Sequence, residues 1–274
     1  MQSSNTRPGF RPSGAYSWER MNMVIQLIRN ATMKLKYSDI SILTDPFLAS
    51  KYEYEPYIGV SRNPIIDLPI CIHDVLERID FILLTHMHSD HFDKTAKKTI
   101  RKDMKILCQP EDRVDIEKAG FINVDAITEE YTINGMNIVR FYGQHGYGEN
   151  LKEMGIVSGY IIKAKGEPTI CWLGDTVYTE AVEKILQSSC PEVIICHSSG
   201  AVWGKNKGKI IMDDVQTIEL CKHHKECRVI AIHMEALDHG TVTRAELRDY
   251  ADKNGIKPEQ LLIPQDGENS RLER

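Results

Sequence analysis

The chain has 274 residues, 42% apolar and 27% charged, a balance that lets a globular protein bury a sizeable core without disulfide staples. Collagenous, coiled-coil and disordered classes are thereby excluded. The 34 Lys and Arg stand against 39 Asp and Glu, for a net charge of −5, which is the opposite of what a general nucleic-acid binder carries.

No apolar stretch approaches the ~20 residues of a spanning helix, so no membrane insertion is expected. The first residues show no apolar core behind a basic start, so no secretory leader is expected. Seven cysteines without a Cys-x-x-Cys pair argue against a disulfide framework and fit a reducing compartment. The expected location is cytoplasmic, and composition leaves a homo-oligomer open.

Residues 1–22, rich in Ser, Pro, Gly and Arg, read as a flexible arm. Residues 23–268 read as a single folded domain, and residues 269–274 as a polar tail. Within the domain, Val24–Arg29, Thr32–Tyr37 and Ile40–Thr44 are short β-rich runs, expected to form an antiparallel meander. Residues 48–69 hold four Pro or Gly and three Tyr. They are too irregular for one element and long enough for a loop that covers something.

Helices and strands then alternate. Residues 75–78 predict a helix, 80–85 a buried strand, 94–101 a helix, 105–107 a strand and 110–119 a helix closed by Gly120. Residues 131–133 pair with 136–141 across Asn134-Gly135, and 159–164 with 169–173 across Lys165-Gly166. Helices over 179–187, 213–223 and 244–254 alternate with strands over 193–196, 228–232 and 260–263. Meanders followed by helices in each half suggest two mixed sheets packed face to face with helices outside, an α/β four-layer αββα sandwich.

Directly after the apolar run Phe81-Ile82-Leu83-Leu84 stands His86-x-His88-x-Asp90-His91. At this chain's own residue frequencies the pattern arises by chance in roughly one such chain in a thousand. Four imidazole and carboxylate groups within six residues cannot be buried uncompensated, and they are the ligands of Zn²⁺ and related metals. His86 and His88, two apart on extended backbone, point to one side, while Asp90 and His91 face a second position after the chain turns. Two metal sites are implied, each short of ligands. His145, Asp175 and His233 each follow a predicted strand and complete the set.

This ordered set resembles the metallo-β-lactamase superfamily, with Asp45 matching its early aspartate. Arg62-Asn63-Pro64, Gln109-Pro110-Glu111-Asp112, Gly143-Gln144-His145-Gly146, Gly174-Asp175-Thr176 and His233-Met234-Glu235-Ala236-Leu237 are similar to the branch holding L-ascorbate-6-phosphate lactonase and N-acylphosphatidylethanolamine phospholipase D. The resemblance implies that His86, His88 and His145 hold one metal, and Asp90, His91 and His233 the other. Asp175 would bridge them and Asp45 would orient the ligand loop. It further implies two divalent ions, Zn²⁺ or Mn²⁺ with Fe also compatible, and a metal-bridging hydroxide as nucleophile.

Asp90, Asp175 and His239 are the candidate catalytic residues, His239 as general acid with a solvated loop histidine as its alternative. His197, after another strand, points at the same rim, where a structural hydrogen bond competes. Arg62, Asn63 and Lys205, the last in a basic loop, are the candidate substrate residues, and they favour a small anionic substrate such as a phosphorylated sugar lactone. A phosphodiesterase or ribonuclease Z-like nuclease and a non-catalytic metal-binding protein are the alternatives. Nucleic acid is disfavoured by the charge, and diiron redox chemistry by His88, where those relatives carry glutamate.

Overall fold

The computed structural model describes residues 23–271; the expected arm over residues 1–22 lies outside them. The chain begins with β1 (Val24–Arg29), β2 (Thr32–Tyr37) and β3 (Ile40–Thr44), the antiparallel meander expected from the sequence. After the long loop come α1 (Ile72–Leu76), β4 (Phe81–Leu83), α2 (Lys94–Thr99), β5 (Ile106–Cys108), a 3₁₀ turn at Pro110–Asp112, α3 (Arg113–Lys118) and β6 (Val124–Ala126). The second half holds β7 (Glu130–Ile133), β8 (Met136–Tyr142), α4 (Gly148–Met154), β9 (Ser158–Ala164), β10 (Ile170–Trp172), α5 (Glu180–Ser189) and β11 (Val193–His197). It closes with β12 (Val202–Trp203), β13 (Gly208–Lys209), α6 (Asp214–His223), β14 (Arg228–Ile232), α7 (Arg244–Lys253), β15 (Leu261–Leu262) and β16 (Asn269–Arg271).

Two seven-stranded sheets result, ordered β16-β1-β2-β3-β4-β5-β6 and β15-β14-β11-β10-β9-β8-β7. Both mix antiparallel and parallel pairs. Strand alternation explains the layering. In β4, Phe81 and Leu83 enter the core between the sheets, whereas Ile82 packs outward with Val75, Ala96 and Ile116 of α1, α2 and α3. In β10, β11 and β14, Ile170, Trp172, Val193, Ile195, Ile230 and Ile232 face inward. Cys171, Ile194 and Val229 meet α5, α6 and α7. Strands buried on both faces read as unbroken apolar runs, and the four-layer αββα sandwich follows.

Four of the helices start at a side-chain cap. Thr179, Asp213 and Thr243 cap α5, α6 and α7, the last with a reciprocal Glu246 bond, satisfying amides that a helix start leaves open. Asp93 caps α2 and also accepts from the Leu48 amide, tying the start of the long loop to the histidine motif. The hairpin at Asn134-Gly135 has positive φ at both residues, as a two-residue type I′ turn requires.

Several segments differ from expectation: the first helix spans Ile72–Leu76 rather than residues 75–78, and β6, β12 and β13 form where no strand is expected. Residues 269–271, assigned to a polar tail, form β16 and pair with β1, because β1 would otherwise present an open sheet edge. The segment Gly148–Met154, which has no apolar periodicity, forms α4. All seven cysteines are free, and among the described residues no helix is long and apolar enough to cross a membrane.

Candidate metal centre

The centre lies where strands of both sheets end. Asp45 follows β3, His86 follows β4, His145 follows β8, Asp175 follows β10, His197 ends β11 and His233 follows β14. Backbone conformation aims these groups. Gly174 has φ +64°, and a Cβ there would sit 2.5 Å from the Ser158 carbonyl oxygen, so only glycine delivers Asp175 to its place. His233 itself has φ +63°, uncommon for a side-chain-bearing residue and costly unless the surroundings impose it. Its amide donates to the Asn30 carbonyl at 3.0 Å.

Hydrogen bonds on the far nitrogens orient the rings. His91 Nδ1 donates to Asp45 Oδ2 at 2.7 Å, and His145 Nδ1 to the Ile210 carbonyl at 2.9 Å. His86 Nδ1 lies 3.0 Å from Thr85 Oγ1, which donates to Asp45 at 2.6 Å. Each ring thus turns Nε2 inward, as a metal-ligating histidine anchored from behind does. His86 Nε2 and His88 Nδ1 approach to 2.9 Å.

Two donor groups emerge. The donor atoms of His86, His88 and His145 lie within 4.8 Å of one another, as do those of His91, Asp175, His197 and His233. Asp90 joins the second group, its Oδ2 3.2 Å from His233 Nε2 and 3.5 Å from His91 Nε2. Asp175 Oδ2 sits between the groups, 3.2 Å from His91 Nε2, 3.3 Å from His145 Nε2 and 3.8 Å from His86 Nε2.

The donor set fits divalent ions. His91 Nε2 is buried without a hydrogen-bond partner, a costly state for a polar atom that coordination would resolve. Burial opposes protonation of His91, yet Asp175, Asp90 and Asp45 outweigh it and raise this histidine well above the usual imidazole range. Burial likewise opposes ionisation of Asp175, but His91, His233 and His145 hold its carboxyl well below the usual range. The field in the centre is that of a cation site.

A cavity of about 220 Å³ opens onto these groups, lined by His88, Ser89, Asp90, His145 and Asp175 on one side and by Tyr57, Glu153, Met154, Trp203, Ile210 and His239 around it. Tyr57 comes from the irregular loop over residues 48–69, which therefore covers the centre. Asp238 holds that loop, accepting from the Tyr57, Ile58, Val60 and Ser61 amides and from Asn63 Nδ2. Burial works against its ionisation, but these bonds keep its carboxyl below the usual range. Trp203 Nε1 donates to Glu153 at 2.9 Å, bracing the opposite wall.

The substrate residues expected from the sequence are elsewhere. Arg62 pairs with Glu55 and donates to the Tyr52 and Glu53 carbonyls. Asn63 is buried against Asp238, and Lys205 is exposed in the β12–β13 turn. None of the three lines the cavity. His239 does: it is 5% exposed rather than solvated, its ring 5.0 Å from that of Tyr57, with Nδ1 buried and unpartnered.

Sequence reasoning missed several contributors. Asn30, between the first two strands, is buried and donates to the Asp90 carbonyl. Glu153, Met154 and Ile210 carried no signal. Trp203 stands two residues before Lys205, and no periodicity marks it as facing the cavity.

A four-layer sandwich with a histidine and aspartate centre at the ends of both sheets defines a class of metal-binding proteins. The family model described as "Beta-lactamase superfamily domain" matches residues 41–234, and the chain belongs to the metallo-β-lactamase superfamily and, within it, to the UPF0173 family. It is 34% identical over 253 residues to the UPF0173 protein YddR of Bacillus subtilis, covering 90% of this chain and 99% of that one. A solved structure from Veillonella parvula, described as a possible metal-dependent hydrolase, is 34% identical with a TM-score of 0.88 over 92% of this chain and 100% of that chain. The isothiocyanate hydrolase from Delia radicum gut bacteria is 35% identical with a TM-score of 0.84 over the same shares.

Proposed function

We propose that this protein is a binuclear metal-dependent hydrolase that adds water to the electrophilic carbon of a small neutral substrate, with isothiocyanates as the leading class. The carrying observation is that the cavity over the donor groups has no Lys or Arg among its described lining residues, while Tyr57, Met154, Trp203 and Ile210 give it apolar walls. A phosphate group would enter without a cationic side chain to meet it, so the anionic substrate expected from the sequence gives way to an uncharged one. The likeness to an isothiocyanate hydrolase at 35% identity supports the same class.

His86, His88 and His145 would hold one ion and Asp90, His91 and His233 the other, with Asp175 between them. Zn²⁺, Mn²⁺ or Fe bound there would lower the pKa of a water and hold the charge that develops on the substrate. The protein's own residues do the rest. Tyr57, Trp203 and Met154 pack the organic substituent and exclude bulk water. Burial raises the Tyr57 phenol far above its usual range, so it stays protonated, hydrogen-bonded to Ser89 at 2.7 Å.

Burial also pushes His239 down to about 4, so at neutral pH it meets the substrate as a neutral imidazole. This recasts the general-acid role expected of it: the ring hydrogen-bonds the substrate heteroatom instead of delivering a proton from an imidazolium. Net addition of water across the C=N bond of an isothiocyanate places the hydroxyl on carbon and the proton on nitrogen. The resulting thiocarbamic acid expels an amine and carbonyl sulfide.

An unphosphorylated lactone is the second reading, favoured by the same lack of Lys and Arg among the described lining residues and by His239 in that lining. The test is initial-rate hydrolysis by the Zn²⁺- or Mn²⁺-loaded protein of benzyl isothiocyanate, a neutral γ-lactone, a phosphorylated sugar lactone and a phosphodiester, with Asp175→Ala as control. Isothiocyanate turnover abolished in the variant is expected. Preference for either phosphorylated substrate would overturn the neutral-substrate reading.

A further inference from the structure

His197 stands among the donor atoms of the second group, and its role is decided by the residue behind it. It ends β11, is wholly buried, and lies beside the end of β10, with which β11 pairs in parallel. Trp172, the last residue of β10, directs its indole Nε1 at His197 Nε2, 3.1 Å away. Indole N–H is a donor only, so Nε2 must supply the lone pair and the imidazole proton must sit on Nδ1. That Nδ1–H is 2.5 Å from Asp175 Oδ1.

Asp175 therefore has its two oxygens in separate duties: Oδ1 accepts from His197, and Oδ2 faces His91, His145 and His86. The His197 ring also stacks on that of His233, with centroids 5.0 Å apart at 25°, which fixes its plane. With Nε2 engaged by Trp172 and Nδ1 carrying a proton, neither nitrogen is available for coordination.

We infer that His197 is a positioning residue rather than a metal ligand: Trp172 occupies its Nε2, the proton sits on Nδ1, and that N–H aims the carboxylate that joins the two donor groups. A buried hydrogen-bonded pair without further consequence is the competing account. Against it stands the short bond to Asp175, since partners behind a ligand set its orientation and basicity. The inference rests on the metal-site reading and not on the substrate class, so its test uses no substrate.

The full-length protein is compared with Trp172→Phe, which keeps the aromatic volume and removes only the N–H, and with His197→Asn and His197→Gln. Asn places an amide nitrogen where Nδ1 stood, and Gln one nearer Nε2. In the metal-free protein, ¹⁵N NMR of labelled histidine should show His197 as the Nδ1–H tautomer, with its Nε2 resonance shifted in Trp172→Phe by loss of the indole hydrogen bond. Chelator competition with Zn²⁺ and Mn²⁺ should give the same number of bound ions in every variant. Affinity should fall about 10- to 100-fold in Trp172→Phe and His197→Gln, with His197→Asn largely restoring it. One ion fewer in both His197 variants would make His197 a ligand and overturn the inference. So would the Nε2–H tautomer in the wild type, or unchanged affinity in both Trp172→Phe and His197→Gln.

Discussion

Asp45 Oδ2 lies 2.7 Å from His91 Nδ1, with both side chains wholly buried. The same carboxylate accepts from the Thr85 amide and hydroxyl, so one group ends β3, pins the turn after β4 and orients a ring whose Nε2 faces Asp175. Asp45→Asn should retain the fold and lower divalent-metal affinity at least tenfold, the usual effect of altering a partner behind a ligand. Chelator competition beside a thermal melt measures both, and unchanged affinity would refute the orienting role.

Metal removal should destabilise the whole domain, because the donors come from the ends of strands in both sheets. Ligand binding to the native state alone adds about 2.7 kcal/mol at a free concentration 100 times Kd. Thermal melts of the chelator-treated protein, with and without added Zn²⁺ or Mn²⁺, should therefore show a clear upward shift on metal addition. Asp175→Ala should lose most of that shift.

His239 makes the metal-free protein sensitive to mild acid. Its pKa is lowered from 6.5 to about 4, burial being the main cause. Between those values the unfolded chain binds a proton that the native state refuses, so stability is fully present above pH 6.5 and falls as pH drops toward 4. The contribution is at most about 3 kcal/mol, at ~1.4 kcal/mol per pH unit. Urea unfolding at pH 7 and pH 5 should show a smaller loss in His239→Gln than in the wild type, and equal losses would contradict the burial argument.

The aromatic wall should govern substrate choice. Tyr57 and Trp203 meet edge to face at 6.1 Å, a contact type worth about 0.5–1.5 kcal/mol. Trp203→Ala should raise KM for an aromatic isothiocyanate several-fold, up to about tenfold, and change KM for a methyl-substituted one little, with kcat retained in both. An equal rise for the two substrates would remove Trp203 from recognition of the substituent.

Asp238 should control the loop over the centre. Asp238→Ala leaves the Tyr57, Ile58, Val60 and Ser61 amides and Asn63 Nδ2 without their acceptor. Hydrogen exchange at residues 57–63 should accelerate, with metal content preserved and KM raised. Protection equal to wild type would show that the loop is held by its packing on Phe47 and Ala236 instead.

The parts of this fold that read directly from the chain are those with a local cause. The β1–β2–β3 meander, the Asn134-Gly135 hairpin, the capped helices α5 to α7 and the doubly buried strands β4, β10, β11 and β14 follow from side-chain periodicity and turn chemistry over a few residues. Less visible were α4, which has no apolar stripe, and β16, whose three residues are ordered by pairing with an edge far earlier in the chain, Gln26 opposite Asn269 and Val24 opposite Arg271.

The sequence by itself brought out the candidate donors, because His86, His88, Asp90 and His91 are packed closely after an apolar run and because each remaining candidate follows a strand. Tertiary structure decided what those donors face. A charged side chain acts where its partners leave it free, and no pattern along the chain reveals that Arg62 is engaged by Glu55 or that Lys205 points outward while Trp203 beside it turns in. The tautomer of His197 has the same character: it is set by an indole and a carboxylate brought alongside through the parallel pairing of two strands, and only packing across the sheet creates those neighbours.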